Sequence, residues 1–405
     1  MLSRFTPYPV AQSILMVAGE RSGDLYGAEL AAELARQAPE LRVFGCGGDA
    51  MRGAGVETVV DARDFAMVGI TEVISGLPRA RRAFHAILDE VRRRRPALAV
   101  LIDSPSLNLR LAKRFKRRGV PVCYFVSPQV WAWKKWRMRH LRARVDKMLC
   151  IFDFEAEIYR RAGVPVEYVG HPLVDVLARP GLVQNASRQD FCAQAGLDPT
   201  KPVVALLPGS RRIELRYNLP AMLEAAGRLA ANRYAQFVLA AAPALDAQWI
   251  ELRVREAGLG GAIRVLTRST YDALKYSDAA VVASGTATLE AALFGCPMVV
   301  VYRVAPTTAF FARFMIDVPF YSIVNLLARK RVVTELIQSD FTVPRLVSEI
   351  EYLLGHPEAC DAMKREFDAL RTRLGTGGAS DRAAAAVVRM LDEPPAAASG
   401  RIPTR

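Results

Sequence analysis

The chain has 405 residues, of which 51% are apolar and 24% charged, enough to bury two cores of ordinary size and too apolar for a disordered chain. A formal net charge of +14 points to an anionic partner, whether nucleic acid, an acidic membrane surface or a phosphorylated substrate. Six cysteines without a CxxC pair and four scattered histidines argue against a disulfide framework or a metal site and for a reducing, cytoplasmic compartment, and no run of 18 uncharged apolar residues offers a membrane span. In chain order, residues 13–18 read as an apolar strand running into Gly19, Glu20, Arg21, Ser22, Gly23 and Asp24, with a helix following to about residue 36. Residues 41–45, 97–102, 120–126 and 148–152 are further strands with helices between them, an alternation that predicts a Rossmann-like parallel sheet. Within this half, residues 65–95 begin with the apolar set Phe65, Met67, Val68, Ile70, Val73, Ile74 and Leu77, interrupted by Gly69, Gly76 and Pro78, and pass into Arg79, Arg81, Arg82 and Arg92 to Arg95. The stretch reads poorly as a buried helix and better as an interfacial patch beside a basic stripe, the alternative being a core strand followed by an amphipathic helix.

Periodicity weakens between residues 172 and 202, so the expected division is an N-terminal domain over 1–175, a linker over 176–201 and a second Rossmann-like domain over 202–355. Helices are expected over 356–392, packing back on the first domain, and a Pro/Ala/Ser/Gly tail over 393–405 reads as disordered. In the second half, strands are expected near Val203, Phe237, Ile263, Val281 and Met298. Two strand ends there favour phosphate. One is the Pro-Gly-Ser-Arg turn ending in Gly209, Ser210 and Arg211, where exposed N–H groups and a planar guanidinium suit phosphate oxygens. The other is Ser284, Gly285 and Thr286 opening a helix that carries Glu290, whose carboxylate can accept both hydroxyls of a ribose; the plain alternative is helix capping and a carboxylate answering the helix dipole. Neither is a Walker loop or a dinucleotide fingerprint, so ATP hydrolysis and nicotinamide chemistry lose ground.

Two such halves facing across a cleft describe the GT-B glycosyltransferase architecture, an α/β fold of two doubly wound domains. The segments VAGERSGD (17–24), MVGITEVI (67–74), IDSPSLN (102–108), VSPQVWAW (126–133), GHPL (170–173), LLPGSR (206–211), ASGTATLE (283–290) and PMVVVYR (297–303) carry a closer resemblance. They resemble, in the same order over about residues 13–390, the lipid-A-disaccharide synthase family. The resemblance implies an inverting, metal-independent hexosyltransferase without a cofactor. It would transfer a 2,3-diacylglucosamine unit from UDP-2,3-diacylglucosamine to 2,3-diacylglucosamine 1-phosphate, giving a β-1,6-linked disaccharide and UDP at the cytoplasmic face of the inner membrane of Gram-negative cells. Ser106 stands where that family often has a second carboxylate, Arg21 where it has a small residue, and Val324 where it has a proline before Asn325.

Inversion by one in-line attack needs one general base, and Asp103, ending a strand before Ser-Pro, fits; its plain reading is a turn aspartate that caps a helix. Arg211 with Gly209 and Ser210 would stabilise the leaving UDP. Ser284, Gly285, Thr286, Glu290 and, by family position, Arg303 and Asn325 would hold the nucleotide sugar, and Glu20, Ser22, Gly23 and Asp24 an acceptor or donor loop. Residues 131–144, rich in Trp, Lys and Arg, read as a solvated helix face or a basic surface for anionic phospholipid or the acceptor phosphate, ahead of a nucleic-acid stacking element; His140 and His171 read as structural. Two other classes stay open on the residues alone: a UDP-N-acetylglucosamine 2-epimerase-like enzyme of the same architecture and a basic nucleic-acid-binding protein.

Overall fold

The alternation of strands and helices closes into two all-parallel sheets, each belonging to its own compact unit. The computed structural model describes residues 12–65, 70–128, 137–232, 235–242, 245–267, 269–306, 309 and 319–392, with the backbone path alone over 70–76. One unit holds the residues up to Ala178 together with those from Leu374 onward, and the other is Arg179–Arg373.

In the first unit, β1 (Ser13–Ala18), β2 (Arg42–Gly47), β3 (Glu57–Asp61), β4 (Leu98–Ile102), β5 (Val122–Phe125), β6 (Lys147–Cys150) and β7 (Val166–Tyr168) form a sheet of order β3-β2-β1-β4-β5-β6-β7. In the second, β8 (Val203–Leu207), β9 (Gln236–Ala241), β10 (Ile263–Thr267), β11 (Ala279–Ala283), β12 (Met298–Tyr302) and β13 (Thr334–Ile337) run in the order β10-β9-β8-β11-β12-β13. Central strands such as β4, β8 and β11 are buried at every residue, as expected where helices cover both faces of a parallel sheet. All six cysteines are free and buried, and burial pushes the thiols of Cys123, Cys150 and Cys296 up to about 12, so they act as small apolar side chains.

Three segments depart from the sequence expectations. Of the stretch expected as a linker over 176–201, residues 179–201 are built into the second unit, because the fully buried carboxylate of Asp272 accepts from the main-chain N–H groups of Gln184 (3.0 Å) and Asn185 (2.8 Å), and Arg188 reaches Asp278 at 2.8 Å. Of the two C-terminal helices, only Ala379–Asp392 packs on the first unit. Asp175 caps it by accepting from Ser380 N at 2.8 Å, and Ala383, Ala384 and Val387 are buried there; the helix Pro357–Leu374 instead adds Cys360 and Met363 to the second core. Residues expected to read poorly as helix form one, Ile70–Arg94, with Pro78 inside. Its buried stripe Ala80, Ala83, Ile87 and Val91 has helical spacing, and that burial outweighs the break signalled by Gly76 and Pro78.

His171 opens the helix Pro172–Leu177 as its N-cap, its Nδ1 accepting from Leu173 N at 3.1 Å, and it is buried against Tyr26 and Phe152. Burial pushes its imidazole down to about 3. In the unfolded chain it titrates near 6.5, so from about pH 6.5 down to about 3 the unfolded state takes a proton that the folded state refuses. Stability is full above this window and falls within it as pH drops, by up to ~1.4 kcal/mol per pH unit. In His171→Asn the amide oxygen keeps the cap but cannot titrate, so melting temperature should decline less between pH 6.5 and 5; parallel declines in both proteins would contradict this.

Candidate active site

In both sheets the strand order reverses once, between β1 and β4 in the first and between β8 and β11 in the second. At such a reversal the connecting helices leave to opposite sides and a crevice opens beyond the carboxyl ends of the two strands. The register pairs Ala18 with Ile102 and Leu207 with Val282, so the residues that follow each strand stand side by side. The candidate residues fall at these two points, except Arg303, which follows β12, and Asn325, which lies between β12 and β13.

At the first reversal, β4 ends in Asp103 (φ 49°) and Ser104 (φ 41°), and β5 ends in Val126 (φ 62°). Left-handed backbone is uncommon outside glycine and marks positions held by their surroundings. Asp103 N donates to Phe125 O at 3.0 Å, while its carbonyl accepts from Tyr124 Oη at 2.6 Å and Asn108 Nδ2 at 2.8 Å. The helix Pro105–Lys116 then starts directly, and Ser104, its N-cap residue, makes no side-chain cap. On the β1 side the helix Arg21–Gln37 begins at once, so Ser22, Gly23 and Asp24 lie in its first turn. Glu20 is exposed and Ser22 half-buried. Gly23 and Asp24, expected in an acceptor or donor loop, are both buried. A Cβ on Gly23 would stand in ordinary contact, 3.4 Å from that of Ala18. Asp24 is buried, its carboxylate accepting from Gly48 N (2.6 Å), Ala50 N (3.1 Å) and Met51 N (3.1 Å) at the head of the helix Asp49–Gly53.

At the second reversal the expected phosphate turn differs in detail. The main-chain N–H groups of Ser210 and Arg211 both donate to Glu214 Oε2, at 2.7 and 3.3 Å, so the turn is occupied by the protein's own carboxylate. Gly209 (φ +129°) has no room for a side chain, since a Cβ would lie 2.4 Å from that oxygen. The Arg211 side chain is 44% exposed and lies 3.7 Å from Glu214 Oε1. Beyond β11, the helix Thr286–Leu293 starts from Gly285 with no side-chain cap, Gly285 and Thr286 are exposed, and Glu290 is half-buried one turn in. A helix start of this kind presents unsatisfied N–H groups and the positive end of the dipole. Ser284 is half-buried and donates from Oγ to Tyr321 O at 2.9 Å.

Asn325, expected at the nucleotide by family position, lies in the protein interior. It is fully buried, its Nδ2 donates to Val333 O (2.9 Å) and Glu335 Oε1 (2.8 Å), and its Oδ1 accepts from Val332 N (2.7 Å) and Val333 N (3.0 Å), which uses the whole amide. Through Glu335, whose carboxylate accepts from Tyr321 N and Ser322 N at 2.9 Å each, it fixes the segment that Ser284 touches. Arg303 is half-buried, donates to the Phe341 carbonyl and lies 4.8 Å over the Phe341 ring. Asn218, which sequence reasoning missed, is fully buried and joins the ends of β8 and β12, donating to Pro208 O (3.1 Å) and accepting from Arg303 N (3.0 Å). Its signal was a polar residue on an otherwise apolar helix face. Among the described residues no group of three or more His, Cys, Asp or Glu stands close enough to hold a metal ion.

The basic surfaces are narrower than the sequence suggests. On the helix Ile70–Arg94, Arg92 pairs with Asp89, Arg93 with Glu90, Arg94 with Glu57 and Glu90, and Arg79 with Asp64. Arg81 and Arg82 line an open groove of about 530 Å³ with Pro78, His85, Ala86 and Asp89, and Leu77 beside it is 56% exposed. Of the expected apolar set, Met67, Val68 and Gly69 lie outside the described residues, as do the side chains of Ile70, Val73 and Ile74 and, in the aromatic–basic stretch, residues 131–136. The rest of that stretch forms the helix Met138–Arg144, where His140 contacts Arg144 and is held below its usual range by burial and then by Arg144, Arg139, Lys113 and Arg137.

The family model described as lipid-A-disaccharide synthetase matches residues 14–383. A lipid-A-disaccharide synthase of Solibacter usitatus is 42% identical over 380 residues, covering 94% of this chain and 97% of the relative. Among solved structures, a putative UDP-N-acetylglucosamine 2-epimerase from Listeria monocytogenes superposes with a TM-score of 0.67 at 14% identity, covering 95% of this chain and 97% of its own. A calicheamicin glycosyltransferase superposes with a TM-score of 0.58 at 17% identity, covering 94% and 98%. At these identities the structural matches establish a shared GT-B fold alone.

Proposed function

Because the chain belongs to the lipid-A-disaccharide synthase family, and so is a glycosyltransferase that forms the lipid A disaccharide from a sugar nucleotide and a lipid-linked glucosamine, we propose how its residues divide the work. The donor is UDP-2,3-diacylglucosamine and the acceptor 2,3-diacylglucosamine 1-phosphate. The acceptor 6-hydroxyl gives its proton to Asp103 as its oxygen bonds to the anomeric carbon, and the bond to UDP breaks with the electron pair leaving on the diphosphate. The anomeric centre inverts from α to β in that single step.

UDP sits at the carboxyl ends of β8 and β11. The N–H groups of Ser210 and Arg211 already donate to Glu214, so the diphosphate falls to the Arg211 guanidinium and the uncapped helix start at Gly285 and Thr286. Glu290 takes the ribose, and Glu20 and Ser22 line the loop for the acylated sugars. The observation that carries the reading is that both strand-order reversals coincide with the family's motifs. Purified protein given radiolabelled acceptor and UDP-2,3-diacylglucosamine should form labelled disaccharide and UDP in equal amounts. Consumption of UDP-N-acetylglucosamine without any acyl acceptor would favour epimerase chemistry instead.

Among the described residues no helix is long and apolar enough to cross a membrane. Lipid substrates then require contact with a bilayer surface, which we assign to the cytoplasmic face of the inner membrane and to the groove at Leu77, Arg81 and Arg82. A basic residue near an anionic surface contributes about 1 kcal/mol, so changing Arg81 and Arg82 to Gln should weaken binding to phosphatidylglycerol vesicles by on the order of 30-fold at low salt and much less at high salt. Co-sedimentation reads this directly, and unchanged binding would move the contact elsewhere.

A further inference from the structure

We propose that Asn108 and Tyr124 are positioning residues for Asp103, gripping its main-chain carbonyl and so holding it in the backbone conformation from which its carboxylate works. The inference rests on Asp103 being the base and deepens that reading. Two successive left-handed residues, neither of them glycine, persist only where the surroundings over-determine them. Here the over-determination is explicit. Asp103 N is fixed to Phe125 O, and Asp103 O receives two donors, Tyr124 Oη at 2.6 Å and Asn108 Nδ2 at 2.8 Å. The same Nδ2 also donates to Ile102 O at 2.9 Å, so consecutive carbonyls are held by one amide.

Both side chains are fully buried, Tyr124 on β5 and Asn108 in the first turn of its helix. An apolar side chain at either place would leave the Asp103 carbonyl turned into the core with one donor fewer. Burial, and next the charge of Asp103, raise the Tyr124 phenol well above its usual range, so it remains a proton-bearing donor. The chain closes in from the other side as well, since a Cβ on Gly19 would lie 3.0 Å from Ser104 Oγ. Neither Asn108 nor Tyr124 touches the reacting atoms; each acts through Asp103.

The test is a double-mutant cycle on kcat. Tyr124→Phe removes one hydroxyl and keeps the ring, and Asn108→Leu keeps the volume while removing the donors; should one fail to fold, the other carries the same readout. We expect kcat to fall roughly 10- to 100-fold with KM and UDP affinity unchanged, the scale of a small misplacement of a catalytic group. In an Asp103→Ala background the same substitution should cause no further loss. Wild-type kcat in Tyr124→Phe overturns the proposal, and so does an equal loss with and without Asp103, which would place the effect elsewhere. If Asp103→Ala alone turns over at the wild-type rate, the base assignment fails and the positioning role with it, a result distinct from both.

Discussion

Asp103→Ala is expected to fold and to bind UDP as the wild type does, yet to lose roughly 10²–10⁴ of its turnover, the range over which general-base assistance operates. Its main chain is held by Phe125, Tyr124 and Asn108, and removing the carboxylate leaves those contacts in place. Alanine tolerates left-handed backbone less well than aspartate, so some loss of melting temperature is expected from φ 49° alone. Asp103→Asn separates the two effects, because asparagine accepts that conformation but cannot take a proton at neutral pH. It should melt with the wild type and still lose the turnover. Near wild-type kcat in the asparagine variant would return Asp103 to a turn residue.

Arg211 carries the second large effect. Replacing it by alanine should cost roughly 2.7–4 kcal/mol of transition-state stabilisation, the scale of a lost oxyanion donor, with little change in melting temperature. A small structural cost follows from its 44% exposure, since ion pairs at so exposed a side chain contribute little to stability. Lysine should rescue poorly, since one ammonium cannot reproduce two parallel hydrogen bonds to phosphate oxygens. Steady-state kcat/KM for the two variants decides the matter, and a lysine variant equal to wild type would replace the bidentate picture with a simple point charge.

The central strands were legible because burial on both faces writes them as continuous apolar runs, as in residues 98–102, 203–207 and 279–283. The strands that sequence reasoning missed are β3, β7 and β13, all at sheet edges, where few residues are fully buried and charged ones such as Glu57, Glu167 and Glu335 break up or shorten the apolar run. The site was legible at its strand ends, since glycine and serine turns followed by helices carry a local signature. Asp24 and Asn325 could not be told from ligand contacts in the same way. What commits them to the interior is a set of main-chain donors 24–27 residues away for Asp24 and, for Asn325, a turn seven and eight residues on together with Glu335. Glu214 was hidden for the opposite reason. A glutamate three residues into a helix after an N-cap is an ordinary sight, and only coordinates reveal that it fills the turn in front of it.

The first unit is interrupted in the chain by the whole of Arg179–Arg373, and the helix Ala379–Asp392 that covers the helix Arg21–Gln37 is made only after it. During synthesis at about 5–20 residues per second, the ribosome therefore spends roughly 10–40 s producing the second unit while the first waits without its closing helix. The second unit, continuous in sequence, is free to finish folding in that interval. The nascent first half meanwhile presents the apolar face later covered by Ala383, Ala384 and Val387, a binding surface for chaperones that vanishes once residue 392 clears the exit tunnel.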